Sequence, residues 1–598
     1  MKILGISAYY HDSAAAIIIN GSIVAAAQEE RFTTLKNDAS FPENAITFCL
    51  QQAQINLHQL DAIVFYDKPF LKFERLLDTY FNNAPKGWLS FITAMPVWLK
   101  EKLLLKSTLK KNLQKIDDKV NWHNTQLLFS NHHVSHAASA FFASGFDKAA
   151  ILTIDGVGEW ATASISTGNA NEMQAIQEMH FPHSLGLLYS AFTYFLGFEV
   201  NAGEYKVMGL APYASEKDEL VQHYLKIIYS KLVTVYDDGS IELNQTYFKY
   251  ATSLRMINEK KFEALFGIPV RKSTEEITSK HIALAQALQL VLEHVVMRMA
   301  QHTKKITQAE NLCLAGGVAL NGVANGKLHE SGLFKNIFIQ PAAGDAGGAL
   351  GAALAAYYMH FKQPRVTQKP DSMQGSLLGP SFSAHEIKQA INEAGLKHTH
   401  YASTELIDET VKRLIAGQVI GWFDGRMEFG PRALGARSII ANPLLSNMQS
   451  KLNLKVKKRE SFRPFAPIML QEEFERLFGQ KHSSDYMLFV HKILPQYQTQ
   501  PATQGKNLIE TINQQRSVLP AITHVDFSSR IQTINPNVNP KIAALLNAFK
   551  AQTGYGVLIN TSFNVNNQPI VCTPQQAINC FIHTDIDCLI LDGHLIEK

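Results

Sequence analysis

Two histidines one helical turn apart, His132 and His136 in SNHHVSHAASAFFASG, are the residues best suited to chemistry in this sequence. On a helix, positions i and i+4 project from one face, so both imidazoles reach a single divalent ion. His133 lies about 100° further round the helix and is not expected to share that ion. The same spacing also arises on helices that are merely polar, so oxygen donors are needed to complete the set. Asp155, which closes the apolar run AAILTI ahead of Gly156, and Asp345, within AAGDAGGALG, supply them. Each alone reads as a turn or cap residue. Together with two imidazoles they form a mixed nitrogen and oxygen set that suits iron, manganese or zinc better than copper or thiolate-bound zinc.

Two further constellations point to anions. In LCLAGGVALNGVANGKL, Gly316 and Gly317 follow an apolar run, where the backbone can approach a ligand closely, and Asn321 follows at a spacing suited to a base or ribose. The motif is neither GxGxxG nor a Walker A sequence, and a tight connection is the alternative reading. Nearer the C-terminus, GWFDGRMEFGPRALGARSIIANP and KVKKRESFRPFAP hold Arg432, Arg437, Lys457, Arg459 and Arg463 between prolines and glycines. Guanidinium groups fixed in turns present forked donors to phosphate oxygens, and Phe429, Phe462 and Phe465 are expected to be their buried partners. Asn560, Thr561, Ser562 and Asn564 add short polar side chains able to bind a phosphate or carbonyl. For His524, Asp526 and Arg530 a structural ion-pair network and a ligand role stand equally.

The elements that must position these groups follow from periodicity. Lys2–Ser7 and Ala14–Asn20 read as strands, and Asn20-Gly21 supplies a two-residue hairpin turn before Ile23–Gln28. Ala149–Thr167 repeats that strand-turn-strand grammar about 140 residues later, a weak repeat signal. Phe91–Ile116 and Lys280–Gln301 read as helices, and GDAGGALGAALAAYY as a glycine-rich turn opening a helix whose small residues permit close packing. The stretch 363–381, rich in Pro, Gly, Ser and Gln, marks a linker. It separates residues 1–362 from 382–598, which alternate helix and strand signals as a second α/β domain.

The totals agree with two domains. A chain of 598 residues exceeds one core, and 46% apolar with 18% charged residues is an ordinary globular balance. A net charge of +4 implies no broad nucleic-acid surface. No leader pattern and no uninterrupted apolar run of membrane length is evident, so a cytoplasmic protein without a membrane partner is expected. The five cysteines lack CxxC spacing and read as buried thiols.

Two glycine-flanked hairpins followed by a Gly-Gly turn and a glycine-rich helix start resemble the duplicated ribonuclease-H-like core of the actin, sugar kinase and heat-shock ATPase group. The chain as a whole resembles the O-carbamoyltransferases typified by NodU and TobZ. The likeness runs through HDSAAAI, EERFT, SNHHVSHAASAFFAS, TIDGVGEW, HSLGLLYSAFTYFLGF, GEYKVMGLAPY, AGGVALN, GDAGGALGAA, RMEFGPRALGARSI, KVKKRESFRPFAP and INTSFN. It implies an N-terminal domain like the tRNA threonylcarbamoyl transferase subunit (TsaD-like) and a C-terminal YrdC-like α/β domain. The second would make carbamoyl adenylate from carbamoyl phosphate and ATP, with Mg(2+); the first would pass the carbamoyl group to a hydroxyl of a small molecule or oligosaccharide. By the resemblance, His132, His136, Asp155 and Asp345 hold Fe(2+) or another divalent metal, and His11 is the base on the acceptor hydroxyl. Arg432, Lys457, Arg463, Asn560 and Ser562 would hold carbamoyl phosphate and nucleotide. A homodimer is compatible with it. The competing readings are a tRNA threonylcarbamoyl-type transferase and a non-enzymatic regulator of ATPase fold.

Overall fold

Alternating apolar strands and helices build two α/β units in the computed structural model, which describes residues 1–85, 87–88, 91–93, 95, 104–253, 255–500, 508–512 and 514–598. Residues 1–26 and 39–372 form one unit; 27–38 and 373–598 form the other. The division at 372/373 falls inside the glycine- and proline-rich stretch. The sequence carries no sign that 27–38 belongs with the second unit.

The first unit contains the same sheet twice. Strands β1 (Lys2–Ser7), β2 (Ala14–Ile19), β3 (Ser22–Gln28), β4 (Ala62–Phe65) and β5 (Gln126–Phe129) lie in the order β3-β2-β1-β4-β5. Strands β6 (Lys148–Ile154), β7 (Ala161–Asn169) and β8 (Glu172–His180) are followed by a separate pair, β9 (Val233–Val235) and β10 (Ile241–Leu243). With β11 (Asn311–Ala315) and β12 (Asn336–Ile339), the second large sheet runs β8-β7-β6-β11-β12. In both sheets the first strand is antiparallel to its hairpin partner and parallel to the incoming strand on its other side. The repeated hairpin grammar is therefore a repeated topology. Asn20 and Gly21 both have positive φ, 50° and 81°, as the two-residue turn requires.

Helices of this unit include α1 (Leu105–Ile116), α2 (His132–Phe141), α3 (Ser279–Thr307), α4 (Gly322–Glu330) and α5 (Asp345–Ala355). The helix expected over Phe91–Ile116 is seen as α1 in its last part; residues 94 and 96–103 of it lie outside the described residues. Helix α3, longer than its periodicity suggests, is long and apolar enough by length and composition to cross a membrane. It buries Gln289, Glu293 and an aliphatic stripe within the unit, which gives its apolar character a packing role. Every residue of α5 is buried. A side chain at Gly5 would strike the Ala349 carbonyl, and one at Gly351 would strike the Ser135 carbonyl. Backbone therefore meets backbone where α5 passes between β1 and α2, which only glycine allows.

The second unit has one nine-stranded mixed sheet: β13 (Thr399–His400), β14 (Ile420–Phe423), β15 (Arg437–Ala441), β16 (Ala466–Met469), β17 (Phe489–Lys492), β18 (Ser528–Thr533), β19 (Val557–Ser562), β20 (Cys588–Leu591) and β21 (His594–Glu597). Their order is β13-β21-β20-β14-β15-β19-β16-β18-β17. Alternation sorts Ile439, Ile559 and Leu589 into one core with α6 (Ala384–Glu393). Ile440, Leu558 and Ile590 go to the other, with α7 (Ser403–Ile415) and α8 (Pro540–Thr553). A sheet covered on both faces has apolar residues on both sides of its strands.

Candidate functional site: a histidine and aspartate centre and an arginine nest

The first centre grows from the N-terminus of α2. Asn131 caps the helix, its side-chain oxygen accepting from His133 N at 3.1 Å and Val134 N at 3.3 Å. The buried Glu159 carboxylate accepts from His132 N at 3.0 and 3.1 Å and from Lys68 N at 2.7 Å, satisfying another open donor of the first turn. With the helix start fixed, His132 and His136 point the same way and their Nε2 atoms lie 3.1 Å apart. Asp155 arrives at the end of β6 and Asp345 at the first position of α5. Asp155 Oδ2 is 3.2 Å from His132 Nε2 and 3.8 Å from His136 Nε2; Asp345 Oδ1 is 3.5 Å from His136 Nε2 and 3.8 Å from His132 Nε2.

These donors fit a metal ion. Two imidazole nitrogens 3.1 Å apart between two carboxylates form a donor set that one divalent cation can share. For ligand bonds of about 2.1 Å a tetrahedral set has edges of about 3.4 Å, and the separations above bracket that value. All four ligand atoms lie within 4.8 Å of one another. Surrounding groups hold the carboxylates in place: Gly317 N donates to Asp155 Oδ1 at 2.9 Å, and the Tyr66 hydroxyl donates to Asp345 Oδ2 at 3.2 Å. Burial pushes the Asp155 carboxyl up, but the hydrogen bond from His132 and the charges of His136 and His132 win and hold it well below the usual carboxylate range. His133 turns away, as its helical position requires, and pairs with Ser164 Oγ at 2.9 Å. Burial chiefly, then His132, drives it down to about 3.

His11 borders the same centre, its Nε2 3.8 Å from Asp345 Oδ2 and its Nδ1 3.0 Å from Asp12 Oδ2. Burial lowers its proton affinity, yet Asp345 and then Asp12 outweigh that and raise it to about 10.

Gly316 has φ 87° and its backbone presses on Ile154, so a tight approach is real. However, Gly316 N donates to Ala343 O at 2.9 Å, and Gly317 N is the donor to Asp155. Asn321 caps α4 through Ala324 N and exchanges two 3.1 Å hydrogen bonds with Gln289. The backbone donors of Gly316 and Gly317 and the Asn321 amide are thus engaged within the protein, and Gly317 helps to position Asp155.

The second centre lies in the other unit. Register pairs Ala466 with Asn560 and Ile468 with Gln532, which brings β19, β16 and β18 side by side. Alternation then puts Asn560 and Ser562 on the same face as Arg530 and Gln532. Asn560 Nδ2 donates to Gln532 Oε1 at 2.6 Å and to Ala433 O at 3.0 Å, tying the sheet to the loop that carries Arg432. Asn453 organises the neighbouring loop: its amide donates to Ser461 O and Arg463 O and accepts from Arg459 Nε at 2.7 Å. Arg459 also stacks 4.6 Å over Phe465.

Burial first, and then the charges of Arg432, Arg459 and Arg463, pull the Arg530 guanidinium well below its ordinary range. The three charges thus act against that of Arg530, while Arg463 Nη1 lies 3.5 Å from Glu460 Oε2. Asp526 does not pair with Arg530 but closes its own turn, accepting from Ser528 Oγ at 2.6 Å. Lys457 is buried at the edge of the nest, donating to Ser562 O, Ser562 Oγ, Asn564 O and Asn564 Oδ1 over 2.5–3.1 Å. Burial, Arg459 and Arg463 pull it down, while those four oxygens favour its ammonium form. Arg437 does not belong to this group. It is fully buried, lies 3.6 Å over Phe423, and donates to the carbonyls of Asp424, Gly425, Ala436, Cys572 and Pro380. No sequence signal marks Tyr66, Gln532 or Asn453; Glu159 sits in the motif TIDGVGEW, without an assigned role.

Both halves match one family's descriptions: "Carbamoyltransferase N-terminus" over residues 2–354 and "Carbamoyltransferase C-terminus" over 411–598. An uncharacterized protein of Synechocystis is 52% identical across all of this chain and 96% of its own. Nodulation protein NolNO of Sinorhizobium fredii is 34% identical over 99% of this chain and 80% of its own. The 3'-hydroxymethylcephem-O-carbamoyltransferase of Amycolatopsis lactamdurans is 30% identical over 45% of each chain. With both family halves matched in order and a relative in register from end to end, this chain belongs to the carbamoyltransferase family.

Proposed function

We propose that this transferase makes carbamoyl adenylate in its C-terminal unit and carbamoylates an alcohol in its N-terminal unit. The observation that carries the reading is the arginine nest. Three guanidiniums acting on the half-buried Arg530, with Glu460 beside Arg463 at 3.5 Å as the carboxylate in the group, make a strongly cationic site that suits a polyanion with several phosphate oxygens. Carbamoyl phosphate with ATP and Mg(2+) is such a ligand. Water releases phosphate from carbamoyl phosphate, and the carbamate formed attacks the α-phosphorus of ATP and expels pyrophosphate. The product is a mixed anhydride whose leaving group is AMP, which makes transfer to a hydroxyl feasible.

In the N-terminal unit, His132, His136, Asp155 and Asp345 would hold iron(II) or another divalent ion. Such an ion supplies neutralisation of charge developing on the leaving phosphate, and it offsets the Asp345 field that otherwise keeps His11 protonated. His11 then takes the acceptor proton as the hydroxyl oxygen attacks the carbamoyl carbon and AMP departs. Tyr66 and Gly317 keep the carboxylates oriented. The doubled sheet order supports a duplicated ribonuclease-H-like core for this unit, and we assign the C-terminal unit as YrdC-like. The acceptor is a hydroxyl of a small molecule or oligosaccharide. A tRNA substrate is disfavoured by the net charge of +4 over 598 residues.

The test is pyrophosphate release by the full metal-loaded chain given carbamoyl phosphate and ATP. Arg463→Ala abolishes it, whereas His11→Asn leaves it intact and stops transfer to an acceptor alcohol. Loss of pyrophosphate release in His11→Asn would overturn this division of labour.

A further inference from the structure

Chain from before residue 39 helps to build the cationic site of the second unit. Residues 27–38 leave the end of β3, make one helical turn over Glu30–Thr33 and belong by their contacts to the second unit. Phe32 packs on the small core of Met427, Ala433, Ile570 and Cys572, two members of which flank residues 428–432. Arg31, beside it, is 3% exposed. Its Nη2 donates to Gly430 O at 2.7 Å and to Gln28 Oε1 at 3.0 Å, and its Nη1 lies 2.9 Å from Glu30 Oε1. The Arg31 backbone is held in turn: Gln576 Nε2 donates to Arg31 O at 3.4 Å, while Gln576 Oε1 accepts from Cys572 N at 2.6 Å.

The stretch gripped this way carries Arg432, the foremost of the charges acting on Arg530. No helix or strand lies between β14 and β15, and Gly430 and Gly435 on either side of Arg432 have φ of 124° and 106°, a region that favours glycine. Single hydrogen bonds must therefore fix the path. After Arg432, Asn560 Nδ2 donates to Ala433 O at 3.0 Å and Gln532 Nε2 to Leu434 O at 2.9 Å, and the Glu428 carboxylate accepts from Leu434 N and Ala436 N, both at 2.7 Å. Before Arg432, Phe429 N donates to Ser376 O at 2.7 Å, and Arg31 takes the Gly430 carbonyl. That carbonyl belongs to the Gly430–Pro431 peptide. Proline has no N–H and glycine rotates freely, so only the carbonyl oxygen offers a handle by which the plane of this peptide can be held.

We infer that Arg31 is a positioning residue for the anion site: by fixing the Gly430–Pro431 peptide through its carbonyl, it sets the direction in which Arg432 is presented to the phosphate oxygens of the ligand. The inference rests on the reading of that site as the seat of carbamoyl phosphate and ATP. A guanidinium suits the task because its planar donors join Gln28, Glu30 and Gly430 at once. Its own charge is buried against Glu30, so its effect on an anion passes through Arg432. The C-terminal chemistry therefore depends on a side chain 399 residues upstream of the carbonyl it grips.

The experiment is a double-mutant cycle, read by calorimetric titration of the full chain with inorganic pyrophosphate, on wild type, Arg31→Gln, Arg432→Gln and the two together. Arg31→Gln is expected to weaken pyrophosphate binding by up to about 100-fold, and Arg432→Gln by at least as much. The double variant should bind no more weakly than Arg432→Gln alone, because the first substitution acts through the second. A residue that merely supports the fold would give additive losses. Additive losses, or unchanged affinity in Arg31→Gln, would therefore sink the inference. Should Arg31→Gln not fold, Arg31→Lys, which keeps a cation beside Glu30 but lacks the fork, carries the same cycle with the same criteria. A wild type that binds pyrophosphate yet releases none from carbamoyl phosphate and ATP would overturn the proposed chemistry while the cycle still decides the role of Arg31. No pyrophosphate binding by the wild type would overturn both.

Discussion

Replacing Arg530 with methionine should make the protein more stable and inactive. The Arg530 side chain forms no hydrogen bond or ion pair among the described residues, its Nε is buried, and Arg432, Arg459 and Arg463 all act against its charge. Replacing buried ion pairs or triads with apolar residues of similar volume ranges from neutral to about 4 kcal/mol stabilising; Arg530 is half-buried, which places it in the lower half of that range, and methionine retains the packing of the arginine stem. A gain of about 1 kcal/mol in a unit of roughly 200 residues raises Tm by about 2–4 °C. The same change removes a forked donor aimed at the polyanion, so carbamoyl-dependent pyrophosphate release falls about a hundredfold or more. Calorimetry of the full chain with and without pyrophosphate reads both effects. In the wild type the anion binds only the folded state and raises Tm; in Arg530→Met the baseline Tm is higher and the ligand shift is lost. A lower Tm in the variant, or a retained pyrophosphate shift, would refute the claim that this cluster is held together by its ligand.

Three other outcomes follow from particular contacts. Tyr66→Phe keeps the ring that packs on Gly348 but deletes the hydrogen bond to Asp345, so affinity for a divalent ion at the first centre should fall about 10–100-fold; equilibrium dialysis against graded chelator measures it, and unchanged affinity counts against that centre. Gly351→Ala forces a methyl group against the Ser135 carbonyl and should cost about 1–3 kcal/mol or more, seen as a lower unfolding midpoint in urea. His281 accepts the Thr278 N–H at 3.0 Å only while neutral, and burial, then Arg271, hold it below 6.5 in the folded chain. As pH falls below that value the unfolded state takes up the proton first, so stability from this cap declines. In His281→Gln, which keeps an acceptor, the loss of stability between about pH 7 and pH 5 should be smaller than in wild type; equal slopes would show that this histidine does not contribute.

What could be read directly was whatever one element decides by itself. The pairing of His132 with His136 and the departure of His133 follow from 3.6 residues per turn, and the Asn20-Gly21 hairpin follows from its dipeptide. Convergence was not local. Asp155 and Asp345 could be named by type and setting, but their meeting depends on β6 pairing beside β11 and on glycines letting α5 approach α2. Among the arginines, sequence context was uninformative in a way that physics explains. Arg437 and Arg432 share one motif, yet five carbonyls saturate the first and the charge of the second acts on Arg530. Arg530 lies outside the basic runs and joins the nest only because β18 pairs with β16, and β16 with β19. The Gly-Gly turn sharpens the point. Its glycines correctly announced a close backbone approach, but the partner approached is a strand end and an aspartate of the same chain. A motif of small residues specifies that something must come near; which group comes near is set by the register of strands far away in sequence.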